Sequence, residues 1–167
     1  MKKIFTLIVA TVFAATFAHA QTGWVDHKGD NRISLKFPSE PKEVSPGSFA
    51  ANDRDSVVYV FTIVDFIQVA GIDSVALAPI KNTPEFAAQM KTGINQSLPN
   101  VTFDDFKINT WKGFTSYSTT GVDPAKKKYD MFMVLIGNKL YSFSTVRSDG
   151  TDMAGHDKFI NSIALSN

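Results

Sequence analysis

Val57-Val58-Tyr59-Val60-Phe61-Thr62-Ile63-Val64-Asp65-Phe66 decides the fold class of this chain. Val57, Tyr59, Phe61 and Ile63 fall on one side of a period of two, and Val58, Val60, Val64 and Phe66 on the other. A strand that is apolar on both sides has to be covered on both sides. Tyr129 to Ile136 repeats the pattern, with Met131, Met133 and Leu135 set against Phe132, Val134 and Ile136. Both segments therefore read as central strands, with further layers packed over and under them.

Working outward, Gly137-Asn138 suits a tight turn, after which Leu140 to Arg147 returns antiparallel beside its predecessor. Phe103 to Thr110 and Phe114 to Thr120 make another expected hairpin around Lys112-Gly113. Near the start, Trp24 to His27 reads as a short strand and Lys28-Gly29-Asp30-Asn31 as a turn. Ile33, Leu35 and Phe37 then form the apolar face of a second strand. Pro38 and Pro41 end it, because proline lacks the ladder N–H, and the segment to Asp55 reads as a loop or a weak edge strand.

A helix is expected after Thr83, which can cap the free N–H groups. Pro84 suits the first helical position, Glu85 complements the dipole, and Phe86, Met90, Ile94 and Leu98 recur at four-residue spacing. A second helix is expected from Asp152 to Ser162, with Phe159, Ile160 and Ile163 inward. Ile67 to Ile80 reads as a further strand with a loop.

The first twenty residues form an export leader: Lys2 and Lys3, an apolar run from Ile4 to Phe17, and Ala18-His19-Ala20, the small-x-small form that signal peptidase cuts. That run is too short for a comfortable membrane span, which needs about 20 apolar residues, and no later stretch supplies one. The expected mature chain begins near Gln21 as one domain over residues 21–167, periplasmic or secreted. The absence of cysteine excludes both a lipid anchor on cysteine and disulfides, so packing and hydrogen bonds hold the fold. Of the 17 basic side chains, loss of Lys2 and Lys3 leaves 15 against 16 acidic ones. So balanced a chain lacks the clustered basic excess of a nucleic-acid binder.

The order of elements resembles the PsbP-like superfamily, particularly its exported bacterial branch of DcrB-like periplasmic proteins. The residues carrying the resemblance are Ile33-Ser34-Leu35-Lys36-Phe37-Pro38-Ser39-Glu40-Pro41, and Lys139-Leu140-Tyr141-Ser142-Phe143 followed by Lys158-Phe159-Ile160-Asn161-Ser162-Ile163. The first is similar to the family's opening strand ending in Phe-Pro, the second to its last strand and closing helix. The likeness extends from Trp24 to Leu165 and rests on loose apolar patterns. It implies an α+β fold, an antiparallel sheet with helices packed on its faces in a PsbP-like α/β/α sandwich. Relatives include an extrinsic photosystem subunit, a nuclear factor that binds a small GTPase, and periplasmic proteins. Those relatives are mostly non-enzymatic.

Candidate chemistry is sparse. Beyond the leader only His27 and His156 remain, and there is no paired-histidine metal motif, nucleophile elbow or phosphate loop. Ser116 and His156 could be imagined in a hydrolytic triad, but Ser116 lies in an alternating strand where hydroxyls commonly face solvent. Asp53 with Asp55, or Asp149 with Asp152, could offer oxygens to calcium, yet neither pair has the loop spacing and turn or cap roles explain them more simply. Asp123-Pro124-Ala125-Lys126-Lys127-Lys128 reads as a solvated hairpin tip rather than an anionic-membrane contact. Trp24, Trp111, Phe114, Tyr117 and Tyr141 could line an apolar ligand pocket, with Trp24, Trp111 and Tyr117 the candidate ligand-binding residues.

The expectation is thus an exported, non-catalytic binding or accessory protein, with no catalytic residues, no metal and no cofactor. Its partner is expected to be a protein of the cell envelope, with no nucleic acid and no transmembrane segment in the mature chain. The alternative is a periplasmic carrier of a small apolar ligand or lipid. A partner-binding module should expose an apolar patch, a carrier should hold an apolar cavity, and a hydrolase should place a base beside a nucleophile.

Overall fold

The computed structural model describes residues 23 to 166, so the expected leader over residues 1–20 and its cut after Ala20 lie outside the described residues. Strands β1 (Val25–Lys28) and β2 (Ile33–Phe37) form the expected hairpin, followed by β3 (Lys42–Ser45), β4 (Ser48–Asn52) and β5 (Val58–Asp65). Helices α1 (Phe66–Ala70), α2 (Ser74–Leu77) and α3 (Pro84–Ser97) come next. Then follow β6 (Thr102–Phe103), β7 (Lys107–Trp111), β8 (Phe114–Val122), β9 (Lys128–Ile136), β10 (Lys139–Arg147), α4 (Ala154–Asn161) and β11 (Ala164–Leu165).

The main sheet has eight antiparallel strands in the order β3-β4-β5-β10-β9-β8-β6, with β7 also paired to β8. β5, β10 and β9 lie at its centre, where their doubly apolar sequences require cover on both faces. Register places Phe61 opposite Phe143 and Phe143 opposite Phe132 on one face. On the other, Val64 lies opposite Leu140 and Leu140 opposite Leu135.

Two separate cores result. On one face Val64, Met133, Leu135 and Leu140 pack with Phe86, Met90 and Ile94 of α3. On the other, Phe61, Val134, Tyr141 and Phe143 pack with Ile33, Leu35 and Phe37 of β2, Phe159 of α4 and Ile163. The protein is an α+β sandwich, as expected. α3 begins as its sequence predicts: Thr83 Oγ1 accepts from the Phe86 N–H at 3.2 Å, with Pro84 in the first turn. The β9–β10 turn also forms as expected at Gly137-Asn138, with Gly137 at φ +63°, a conformation open to glycine without penalty.

Three readings are corrected, and a fourth is resolved in favour of one of its alternatives. Residues 67 to 80 hold α1 and α2, not a strand: Asp65 caps the Ile67 N–H, Gly71 closes α1 at φ +67°, and Asp73 caps Val75 and Ala76. Local capping outweighs the β-branched content of Ile67, Val69, Ile72 and Val75. Residues 42 to 52, read as a loop or a weak edge strand, hold the edge strand β3 and beside it β4, where pairing with β5 buries Ala50 and Ala51 despite their weak strand propensity. The strand expected from Phe103 to Thr110 splits into β6 and β7, broken where Asp104 turns its carboxylate to Thr120 Oγ1 at 2.5 Å. Finally, α4 starts at Ala154 rather than Asp152, whose carboxylate accepts from the Ala154 N–H, and Ile163 falls beyond the helix.

β11 escaped the sequence reading. Its two residues pair with Ser34 and Ile33, making β1-β2-β11 a second small sheet. Two residues are too few to show a period.

Candidate apolar cavity and histidine cleft

α3 crosses the main sheet without filling the space beneath its C-terminal half. A cavity of about 90 Å³ remains, walled by Met90 and Ile94 from the helix and by Val64, Met131, Met133 and Leu140 from the sheet. Gly93, mid-helix and buried, lines it from above. No charged residue contributes to the lining. Val58, Val60, Ser97, Leu98 and Ser144 are the half-buried lining residues and mark its mouth.

Polar groups are spaced across this apolar floor. Thr62 lies opposite Ser142 across the β5–β10 ladder, and Ser144 is two residues along on the same face. Thr62 and Ser142 are 8% and 9% exposed. The hydroxyls of Thr62, Ser142 and Ser144 make no hydrogen bond with any described residue. Sequence reasoning missed all three, although a signal exists: each interrupts an otherwise apolar face of a central strand.

The opposite face carries a polar cleft of about 240 Å³ that includes Ser118, Asp130 and His156. Arg147 Nε donates to Asp130 at 3.1 Å in a largely buried ion pair, and His156 Nδ1 lies 2.8 Å from Thr145 Oγ1. Burial lowers the His156 pKa, and Arg147 adds to this while Asp130 and Asp157 oppose it. Ser116 is not a partner of His156, so the imagined triad does not form. Nor does Ser116 face solvent as expected, being 1% exposed, because the sheet is covered on that side too.

The aromatic candidates do not converge. Tyr117 is fully buried on the α3 face, where its hydroxyl donates to the Lys81 carbonyl. Trp24 and Trp111 pack on the other face, Trp24 edge-on to Tyr59 under Lys158 and Trp111 edge-on to Phe132 beside Lys112. Phe114 and Tyr141 belong to that second core as well. None of the five lines the apolar cavity.

The acidic pairs serve turns. Asp53 accepts from the N–H groups of Asp55 and Val57 and from the Tyr59 hydroxyl, while Asp149 meets Lys128 and the Asp152 carboxylate accepts from the Ala154 N–H just ahead of α4. Among the described residues, no three His, Cys, Asp or Glu side chains cluster to hold a metal ion. Asp123 to Lys127 form the β8–β9 tip, closed by the Asp123 carboxylate on the Lys127 N–H.

His27 and His156, the two histidines among the described residues, are expected to make stability depend on pH. His27 sits among the rings of Phe37, Phe49 and Phe61, its Nε2 buried without a partner, and burial lowers its pKa against the raising effect of Glu40. With both folded-state values below 6.5, the unfolded chain takes up protons first as pH falls. Stability should therefore decline below about pH 6.5 until the folded values are reached. We expect Tm to fall between pH 7.5 and 5.5, and a His27→Phe, His156→Gln double variant to lose most of that fall; an unchanged slope would exclude the histidines as its origin.

No family model matches the chain, and no curated protein does. A solved structure does match: the solution structure of cyanobacterial PsbP (CyanoP) from Synechocystis sp. PCC 6803 superposes with a TM-score of 0.62 at 13% identity. The alignment covers 92% of this chain and 98% of CyanoP. The fold is PsbP-like. A crystal structure from Bacteroides thetaiotaomicron aligns at a TM-score of 0.42 and 13% identity, over 81% of this chain and 45% of that one, too distant to add to the PsbP-like assignment.

Proposed function

We propose that this PsbP-like chain is an exported, non-catalytic binding or accessory protein that docks on another protein of the cell envelope. The observation supporting this reading is the surface of α1–α2. Among the described residues, Ile67, Val69, Val75 and Ile80 are four of the five exposed large apolar side chains, and they fall within fourteen residues. Val75 is 76% exposed, and apolar side chains gathered at the surface mark interaction sites. No helix among the described residues is long and apolar enough to cross a membrane. Ile67→Asp and Val75→Asp should leave Tm nearly unchanged, as exposed substitutions do, while abolishing capture of the envelope partner by the purified chain. Capture unaffected by both changes would remove this surface as the docking site.

Export is the second part of the proposal, together with membership of the DcrB-like branch and a single mature domain over residues 21–167. The leader pattern from Lys2 to Ala20 supports it. Mass spectrometry of envelope-derived protein should find Gln21 at the amino terminus. An intact Met1 there would refute processing. A carrier of a small apolar ligand is the second reading, favoured by the cavity under α3.

A further inference from the structure

Resting on the carrier reading, we propose that the cavity under α3 binds the end of a slender aliphatic chain bearing an uncharged oxygen group, as a fatty alcohol or ester does. Volume sets the shape. A cavity of about 150 Å³ holds a benzene ring, so one of about 90 Å³ admits a narrow chain end, and the remainder leaves through the mouth beside Val58 and Val60.

Polarity sets the chemistry. Thr62 and Ser142 are more than nine-tenths buried, and their hydroxyls line the cavity with no protein partner. Neither oxygen is a fully buried unpaired atom, so each reaches the cavity space, where a ligand oxygen or a water can meet it. Hydroxyls both donate and accept, so the row suits an alcohol or a carbonyl equally. A carboxylate or ammonium is excluded because no charged side chain lines the space to offset its desolvation. Gly93 fits the same purpose. Glycine inside a helix costs stability relative to alanine, and Gly93 brings no side chain to the lining of the cavity.

The test is methyl NMR titration of the purified protein with 1-hexanol, hexane and hexanoate at pH 7.5. We expect saturable shifts at Val60, Leu140 and Met133, with 1-hexanol binding at least threefold tighter than hexane and hexanoate weakest. Gly93→Leu should abolish the shifts by filling the space, and Ser144→Leu at the mouth provides a second block should the helix variant not fold. Ser142→Ala, which removes only the hydroxyl, should bring 1-hexanol down to the affinity of hexane. Equal binding of hexane and 1-hexanol, hexanoate binding as tight as 1-hexanol, or 1-hexanol binding indifferent to Ser142→Ala would overturn the proposed chemistry and leave the carrier reading standing. Saturable shifts confined to methyls elsewhere would overturn the site alone. No saturable shift with any probe would overturn both.

Discussion

Replacing Phe61 by alanine is expected to cost about 3 to 5 kcal/mol of folding stability, the range for a large aromatic in a packed core. Phe61 is 0% exposed at the centre of β5, with ring neighbours on three sides. Phe143 stacks on it at 5.1 Å from the adjacent strand β10, Phe49 at 6.4 Å from β4, and His27 approaches edge-on from β1. The ring thus joins the main sheet to the small one, and its loss leaves a cavity that neighbours held in two sheets cannot readily close. Denaturant melts should show the loss as a lower midpoint at unchanged slope. A cost below about 1 kcal/mol would mean the two sheets do not depend on this contact.

Asp30→Ala is expected to cost about 3 kcal/mol, because four donors lose one carboxylate. Its Oδ1 accepts from the N–H groups of Arg32 and Ile33, shaping the β1–β2 turn. Its Oδ2 accepts from Lys139 Nζ at 3.0 Å and from the Tyr141 hydroxyl at 2.8 Å, tying that turn to β10. The carboxylate is 16% exposed, so water replaces few of these bonds. Burial alone would raise the Asp30 pKa, but the Arg32 N–H, Lys139 and Tyr141 together hold it below 3.8. A carboxylate so held stabilises the fold above pH 3.8 and loses that contribution as pH falls through the folded value. The variant should therefore show a shallower acid limb than the wild type as well as a lower midpoint. Asp30→Asn keeps an acceptor for the turn and removes the charge, so it should fall between the two. Equal stability of all three proteins at pH 7 would show that the tether carries no net energy.

The pH response expected of His27 and His156 has the opposite origin. There burial disfavours the charged form, whereas at Asp30 the surrounding donors favour it. Acid thus weakens the fold twice, first near the histidine range and again near that of the carboxylate.

Much of the architecture follows from short-range pattern. Alternation in Val57 to Phe66 and Tyr129 to Ile136 is a local property of the chain, and doubly apolar strands have one stable environment, the middle of a covered sheet. Thr83-Pro84-Glu85 marks the start of α3 because capping acts within one turn, and Gly137-Asn138 marks a hairpin because backbone conformation is a residue property. Those signals sufficed for the α+β class and the order of most elements. Where local signals competed, reading by strand propensity failed. Residues 67 to 80, expected as a strand with a loop, are helical because Asp65, Gly71 and Asp73 cap two short helices among β-branched residues.

What the tertiary structure decided is what depends on pairs distant in the chain. β4 is a strand because β5 is beside it, and β11 exists only through β2. Whether Ser116 meets water depends on what covers its face of the sheet, and whether His156 has Ser116 or Thr145 at its Nδ1 depends on how α4 lies on β10. The cavity is the clearest case. Thr62, Ser142, Ser144 and Gly93 are ordinary residues singly, and their meaning arises only when register sets Thr62 against Ser142 and α3 passes above them. Periodicity dictates which way a side chain points; the packing of separate elements dictates whether that direction ends in solvent, in core, or in space left for something else.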